Sequence, residues 1–229
     1  MSLHAIVSYD DTDNDLDALA LGRVLAEAGA SLTLAYVRHT TQSERSREEL
    51  EEHEAETLLE RGAQRLDDVH VEQRVIVSAS TGEGLKWLAE EQGADIVVFG
   101  SDYRTAFGHV TPGRSAQTLL EGGPAALALA PAGYHVDQNA KIRTIGVLAA
   151  PGDDAALQTA RQLADAFDAT LTRDERHVDL LIVGSRSEAP EGRVMVTAQA
   201  QNAIEDAAFP VLVLARGVTL RLPTPAAAA

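Results

Sequence analysis

Short apolar segments alternate with helical segments between residues 5 and 130 of the chain. The spacing of apolar residues predicts five strands, at residues 5–9, 32–37, 69–77, 94–99 and 127–130. Four helices are predicted between them, at residues 16–29, 41–66, 84–92 and 115–120. Parallel strands need a crossover between them, so this alternation predicts an α/β fold with a parallel sheet sandwiched by helices.

The same pattern starts again after residues 131–138, a segment with proline, glycine and polar residues that is typical of a linker. Strands are predicted at residues 142–149, 169–171 and 178–183, with a helix at residues 153–167. The stretch GHVTPGRSAQTLLEGGPAALALAP begins at Gly108, and the stretch GRVMVTAQAQNAIEDAAFPVLVLAR begins at Gly192. The two match without a gap, so the sequence predicts an internal duplication. Corresponding residues of the two copies are separated along the chain by the distance from Gly108 to Gly192, which is called the repeat offset below.

The second copy is predicted to be truncated. Too few residues separate its second predicted strand from the next one to hold the long helix, the third strand and the following helix. We expect a complete domain at residues 1–137, a truncated and degenerate domain at residues 138–217 that packs on the first, and a flexible tail at residues 218–229.

Charge and composition exclude several classes of function. A net charge of −16 repels nucleic acid and anionic membrane surfaces, so neither is an expected partner. The chain has no cysteine, which excludes disulfides, thiolate metal sites and a cysteine nucleophile. The apolar runs are far shorter than the roughly 20 residues of a membrane-spanning helix, and no signal-peptide pattern is found, so a cytoplasmic location is expected.

The candidate site lies where predicted strands end. In parallel sheets, ligands bind beyond the carboxyl ends of the strands, so the loops that begin at Asp10, Val37 and Gly100 are expected to share a crevice. Glycine-rich turns can present backbone N–H groups to phosphate. His39 and His109 are predicted to border this crevice. No P-loop, G-x-S-x-G elbow or metal-ligand spacing of histidines occurs, so no catalytic residue and no metal site is predicted.

Simpler roles exist for the same residues. The glycines of the loop could serve only as turn residues, and Asp10 could cap the first helix instead of, or as well as, contacting a ligand. A set of acidic residues at the start of this helix is more simply explained by the helix dipole than by a metal ion. This set consists of Asp11, Asp13, Asp15 and Asp17.

Three motifs carry a resemblance to a known family. The segments IVSYDDT at the first strand end, ADIVVFGS before the glycine loop and GHVTPGRSAQTLLEGGPAALALAP after it resemble a universal stress protein of the tandem bacterial type. The resemblance extends over nearly all of residues 3–217. It implies the strand order 3-2-1-4-5, with the last strand used for pairing between domains or subunits.

The resemblance also implies a nucleotide site. ATP-binding members carry G-x2-G-x9-G-[ST], with an acidic residue after the first strand and backbone groups after the second strand near the adenosine. Asp10 stands at the acidic position and Val37 at the second strand end. Gly100 and Gly113 stand at the first and third glycines of the motif.

Two positions depart from this motif. Tyr103 replaces the second glycine, and Arg114 replaces the hydroxyl residue, although Ser115 follows directly. The guanidinium of Arg114 could itself contact phosphate. In the second copy, Ala149 and Ala150 stand in the region of the first two aspartates, and Thr197 replaces the third glycine. No nucleotide is expected there.

The resemblance thus implies a non-enzymatic stress-response or regulatory protein. Its first domain is expected to have a degenerate site for ATP or another adenine nucleotide, with Mg²⁺ if the ligand is ATP. The alternative is a nucleotide-independent scaffold for protein interactions, and a weak ATPase is a third hypothesis. The two copies are expected to pair as an intramolecular pseudo-dimer, and a homodimer of chains is a further expectation.

Overall fold

The structure, a computed structural model, describes residues 3–39, 45–67, 69–137, 140–150, 153–172 and 174–222. Residues 3–137 are called the first half below, and residues 140–222 the second half. Among the described residues, the first half has five strands: β1 His4–Ser8, β2 Ser31–His39, β3 Val71–Ser78, β4 Ile96–Phe99 and β5 Ala126–Leu129. Its helices are α1 Asp13–Glu27, α2 Arg45–Gln64, α3 Thr81–Gln92 and α4 Arg114–Leu120.

The described part of the second half is shorter. Its strands are β6 Thr144–Leu148, β7 Thr170–Thr172, β8 Leu180–Val183 and β9 Val211–Val213, and its helices are α5 Asp154–Phe167 and α6 Ala198–Glu205. Every strand and helix predicted in the first half is present, with boundaries that differ by a few residues. The described second half has no counterpart of α2, β3 or α3, as the truncation predicts.

All strands of the described residues belong to one nine-stranded sheet, in the order β3-β2-β1-β4-β5-β9-β8-β6-β7. The first half is parallel and has the predicted order 3-2-1-4-5. The second half repeats this order without its third strand. Strands β5 and β9 pair antiparallel, with Ala128 opposite Leu212 at the centre of the ladder, so the two halves meet edge to edge.

Hydrogen bonds recur in the two halves at positions separated by the repeat offset. Ser101 Oγ donates to the carbonyl of Ala130 at 2.8 Å, and Ser185 Oγ donates to the carbonyl of Leu214 at 2.7 Å. Both serines are only 4% exposed, so their hydroxyls need these partners. The two halves thus share the same local structure after β4 and β8, as the repeat predicts.

The contact between the halves is reciprocal. The backbone N–H of Val110 donates to the carbonyl of Ala207 at 3.1 Å, and the N–H of Val194 donates to the carbonyl of Gly123 at 3.0 Å. The repeat offset relates Val110 to Val194 and Gly123 to Ala207. Exchanging the two halves therefore converts each of these hydrogen bonds into the other. The halves are therefore related by an approximate two-fold axis through the β5–β9 ladder.

Helices cover both faces of the sheet. Residues of α1, α2 and α5 pack in one apolar cluster with one face, and residues of α3, α4 and α6 pack in a second cluster on the other face. Every residue of β4, β5, β8 and β9 is buried. Strands covered on both faces are expected to be continuously apolar, and these four strands are. No described helix is long and apolar enough to cross a bilayer.

The predicted linker is packed against α1 through Asp17. This carboxylate is 2% exposed and accepts hydrogen bonds from the N–H of Gly133 at 2.9 Å, the N–H of His135 at 2.9 Å and His135 Nδ1 at 2.7 Å. Burial raises the pKa of the neighbouring Tyr134 to about 12. Through its hydrogen bonds to Gly133 and His135, Asp17 fixes the segment that leads from β5 to β6.

The last described residues of the chain pack on α5. Leu220 is 1% exposed, and its N–H donates to Thr159 Oγ1 at 3.1 Å; the N–H of Leu222 donates to Gln162 Oε1 at 3.2 Å. Residues 218–222 of the predicted tail thus belong to the packed structure, whereas residues 223–229 lie outside the described residues. The predicted domain boundary after residue 137 stays a prediction.

Candidate functional site

The carboxyl ends of β2, β1 and β4 lie side by side at one edge of the sheet. The loop after β4 comes close to the start of α1 at Gly100. A Cβ atom at this position would overlap the carbonyl oxygen of Asn14 and lie 2.7 Å from its carbonyl carbon. Glycine is therefore required here by the fold, which places the loop after β4 beside the loop after β1.

Asp10 follows β1 and has an exposed side chain. The N-cap of α1 is Thr12, so the hypothesis that Asp10 caps this helix is wrong. Asp15 accepts the hydrogen bonds that hold the turn, from the N–H of Asp10 at 2.9 Å and from the N–H and Oγ1 of Thr12 at 2.9 and 2.6 Å. Within the described ranges, the Asp10 carboxylate has no hydrogen bond or ion pair of its own.

The pKa of the Asp10 carboxyl is shifted by its surroundings. Partial burial raises the pKa of the Asp10 carboxyl, as do the nearby Asp15 and Asp11, whereas His39 lowers it. His39 is the last residue of β2, the strand that pairs with β1. The crevice thus contains a carboxylate that pairs with no described side chain, just after the strand beside the one that ends in His39.

Three other acidic residues of this region, Asp11, Asp15 and Asp17, bind separate partners. Asp11 has a left-handed backbone (φ 55°), and its carboxylate pairs with Arg61 at 2.9 Å and Arg65 at 3.6 Å, and accepts the Tyr9 hydroxyl at 2.7 Å. Asp15 holds the turn and Asp17 holds the linker. No group of three or more metal-binding side chains occurs in the described part of the chain. The expectation that this region holds no metal ion stays a prediction.

Val37 is buried and packs against α3, where a Cβ at Gly84 would lie 2.9 Å from its side chain. Its backbone is more informative. The N–H of Tyr9 donates to the carbonyl of Ala35, which is the last residue of β2 paired with β1. Alternate residues of a strand present their N–H and C=O groups to the same side. The N–H and C=O of Val37 therefore face the same side of β2 as those of Ala35, beyond the end of β1 and toward Asp10.

Thr81 is a crevice residue that was not predicted from the sequence. It begins α3, and its Oγ1 lies 3.4 Å from His39 Nε2, while His39 Nδ1 lies 3.4 Å from the carbonyl of Ala79. The end of β3 reaches the same edge as the ends of β1 and β2, and that topology could have indicated Thr81. Residues 40–44, which follow β2, lie outside the described residues. The other predicted histidine, His109, lies on the loop after β4 at the contact between the halves.

Tyr103, at the position of the second motif glycine, does not occupy the crevice. Its side chain is 76% exposed, and the guanidinium of Arg104 lies 5.0 Å from the centre of its ring. Arg104 Nε in turn contacts Asp102 Oδ1 at 3.2 Å. The bulky ring therefore extends into solvent, and the space that the motif glycine would leave to a phosphate is not filled by it.

Gly113 is the N-cap of α4, with φ −69° and ψ 171°. Any residue adopts this conformation, and a Cβ added here would meet nothing closer than Asp102 Cα at 4.0 Å. In the second half, Thr197 caps α6 at the same position and accepts the N–H of Ala200 at 3.1 Å. The fold alone therefore does not require glycine at residue 113.

The remaining predicted residues follow in α4. Arg114 is exposed, and Ser115 is half-buried with its carbonyl facing α3. In the second half, the strand register makes Ala150 the counterpart of Asp10, one residue later than predicted. The crevice of the second half has no carboxylate at that position.

The sequence profile of the universal stress protein family matches residues 1–131. None of the curated protein sequences matches the chain. A universal stress protein from Archaeoglobus fulgidus DSM 4304 is 14% identical over 93% of this chain and 98% of its own, with a TM-score of 0.71. A putative universal stress protein from Pseudomonas aeruginosa UCBPP-PA14 is 12% identical over 92% of both chains, with a TM-score of 0.62. At these identities the two structures show a common fold.

A universal stress protein in complex with cAMP overlaps less of the chain. It is 20% identical over 44% of this chain and 77% of its own, with a TM-score of 0.38. An overlap of that extent carries no argument about the ligand of this chain.

Proposed function

The chain belongs to the universal stress protein family, whose profile covers residues 1–131, and from this premise we propose that its first half binds an adenine nucleotide. The site is the crevice beyond the ends of β1, β2 and β4. The proposed role is regulatory and non-enzymatic, with ATP as the leading ligand. Mg²⁺ would enter together with the phosphates of ATP.

The absence of a structural requirement for glycine at residue 113 carries this proposal. The second half builds the same turn with Thr197, which shows that the fold accepts a Cβ there. A glycine at a position that tolerates a side chain leaves the backbone accessible to a phosphate group. The exposed guanidinium of Arg114 supplies positive charge beside it.

Asp10 and Val37 support the adenosine end of the same site. The carboxylate of Asp10 is not used by the described structure and can accept hydrogen bonds from ribose hydroxyls. The N–H and C=O of Val37 point past the end of β1 and can pair with the edge of an adenine ring. These groups lie on neighbouring strands, so one nucleoside can contact both.

A nucleotide-independent scaffold is the second candidate. Two aromatic side chains of the loop after β4 are largely exposed, Tyr103 at 76% and Phe107 at 74%. Exposed aromatic residues are typical of protein contacts. We also propose that the halves are the domains of an internal pseudo-dimer, because β9 covers the edge of β5 that the family resemblance assigns to pairing. A homodimer of chains stays a prediction.

Replacing Asp10 with alanine is expected to weaken nucleotide binding about tenfold, because a hydrogen bond to a charged acceptor contributes roughly 1.5 kcal/mol. Isothermal titration with ATP, ADP and AMP, with and without Mg²⁺, measures the effect. The matched control is Asp13→Ala, which removes an exposed carboxylate of the same region and should change affinity less than about twofold.

One result would contradict nucleotide binding, and another would contradict the non-enzymatic role. Dissociation constants in the millimolar range or weaker for all three nucleotides would leave the scaffold. Phosphate release from ATP above background that is abolished by Asp10→Ala would instead support the weak ATPase.

Replacing Gly113 with threonine is expected to weaken nucleotide binding and to leave the stability of the fold almost unchanged. The free energy of unfolding should change by less than about 0.5 kcal/mol, because glycine and threonine are similar N-caps. Nucleotide affinity should fall at least about tenfold, because the new side chain occupies the space proposed for phosphate. The reverse exchange in the second half, Thr197→Gly, should leave affinity unchanged, and equal effects of the two exchanges would contradict the proposed position of the phosphates.

A further inference from the structure

Helix α3 covers one side of α4 in the first half. The two helices pack closely at Gly82, where a Cβ would lie 2.8 Å from the Thr118 side chain and 3.2 Å from the carbonyl of Ser115. At its other end, α3 reaches the second half, where Arg193 contacts Glu90 at 2.7 Å. Besides packing on the sheet, α3 thus contacts α4 and one residue across the two-fold axis.

The described second half keeps this position but not the helix. By the repeat offset, the counterparts of Ser115 and Thr118 are Gln199 and Asn202, which are exposed on α6. Across the two-fold axis, the counterpart of Arg193 is His109. These three residues line one cavity of about 540 Å³, called the α6 groove below. The cavity therefore lies where α3 would pack if the second half were complete.

Burial of apolar residues differs between the two halves at this position. Leu119 and Ala125 are 0% and 3% exposed beneath α3. Their counterparts, Ala203 and Phe209, line the α6 groove and are only partly buried. The same face of the sheet is thus covered in one half and partly open in the other.

Residues 174–178 occupy part of the position of the missing helix. They cross β6 on the way to β8, and a Cβ at Gly146 would lie 2.7 Å from the carbonyl of Asp174. Glu175 and Arg176 of this segment form a wall of the α6 groove opposite α6. The groove is the remainder of that position, bounded by α6 on one side and by the crossover on the other.

We propose that the α6 groove binds a helix of a partner protein in the place that α3 has in the first half. The partner helix is amphipathic and basic. It has a small residue facing Asn202, as Gly82 faces Thr118 in the first half, and positive side chains facing the carboxylates of the groove. The carboxylates belong to Glu175, Glu205 and Asp206, and they outnumber the one guanidinium of the lining, that of Arg176.

Charge argues for a foreign helix over a second copy of this chain. Two chains with a net charge of −16 each repel one another, and α3 itself carries Glu83, Glu90 and Glu91. Helix-in-groove binding uses side chains at helical spacing on one apolar face, as α3 does with Leu85, Leu88 and Ala89 in the first half. This docking site is independent of the nucleotide site, which lies in the first half.

The test uses the full chain and two labelled peptides in fluorescence anisotropy. The first peptide has the sequence of residues 80–93 with the changes E83K, E90K and E91K, and the second is the unchanged sequence. The lysine peptide is expected to bind with a Kd below about 300 μM, and the unchanged peptide at least about tenfold more weakly. Raising the salt concentration should weaken the lysine peptide further.

Two variants of α6 locate the binding surface. Ala203→Arg fills the floor of the groove and should weaken the lysine peptide at least about tenfold. Ala198→Arg places the same charge on an exposed position of the same helix outside the groove, and should change binding less than about twofold. Circular dichroism and thermal unfolding establish that both variants are folded.

Three outcomes would overturn the proposal. Neither peptide binds at about 1 mM, or both variants weaken binding equally, or the chain is itself a dimer that Ala203→Arg dissociates. Nucleotide titrations of Ala203→Arg should match those of the unchanged chain, which separates a failure here from a failure of the nucleotide site.

Discussion

Replacing Gly100 with alanine is expected to lower the free energy of unfolding by about 3 kcal/mol or more. The added Cβ would overlap the carbonyl oxygen of Asn14. That oxygen belongs to the backbone of the first turn of α1, so it cannot move without displacing the helix. Urea unfolding followed by circular dichroism measures the loss.

The equivalent exchange in the second half provides the control. A Cβ at Gly184 would meet the side-chain oxygen Asp153 Oδ2, which can rotate away. The rotation would disturb the other oxygen, which caps α5 by accepting the N–H of Ala156 at 3.1 Å. Gly184→Ala should therefore cost only about 1 kcal/mol. Equal losses for the two glycines would contradict the explanation from backbone overlap.

Removing the carboxylate of Asp17 is expected to have the other large effect. Asp17→Ala should lower the free energy of unfolding by about 2–4 kcal/mol, because it leaves the part-buried backbone N–H groups of Gly133 and His135 without their acceptor. Chemical unfolding measures this loss, and limited proteolysis should show earlier cleavage between residues 131 and 141.

Two further variants divide the contribution of Asp17. Asp17→Asn keeps one carbonyl oxygen and should lose about half as much stability. His135→Ala removes only the side-chain partner and should cost about 1 kcal/mol, because both backbone bonds to the carboxylate remain. A loss for His135→Ala equal to that for Asp17→Ala would mean that the imidazole, and not the backbone, carries the contact.

The order of strands and helices could be predicted because it depends on local patterns. Apolar runs and amphipathic spacing marked each element of the first half. The match between the two repeated stretches located equivalent positions, such as Ser101 and Ser185, which make the same hydrogen bond in the structure. The family resemblance supplied the strand order, which the spacing alone could not.

Contacts between distant residues could not be predicted in this way. Asp17 and Gly133 are far apart in the sequence, and nothing local to either indicates their hydrogen bond. For the same reason the sequence gave no sign that Asp11, Asp15 and Asp17 bind separate partners. Even the local capping of α1 was ambiguous, because Asp10 and Thr12 are both suitable caps and only the geometry distinguishes them.

The candidate site was predictable as a region more than as a set of contacts. Topology brings the ends of β1, β2 and β4 to one edge, so Asp10, Val37 and Gly100 lie there as expected. The reasons for the two glycines differ, and the sequence did not distinguish them. Gly100 is required by the proximity of α1, whereas Gly113 has no such requirement. Their binding roles stay predictions.

Joining β5 and β9 within one polypeptide makes their association unimolecular. Two separate subunits would come apart on dilution, but here each strand always has the other at a high effective concentration. A fragment with four short strands and two helices would have marginal stability alone. Because the second half is tethered to the first, it docks on the first half with little loss of translational entropy. That permanence explains how the second half can fold although its described residues include no counterpart of one strand and two helices of the first half.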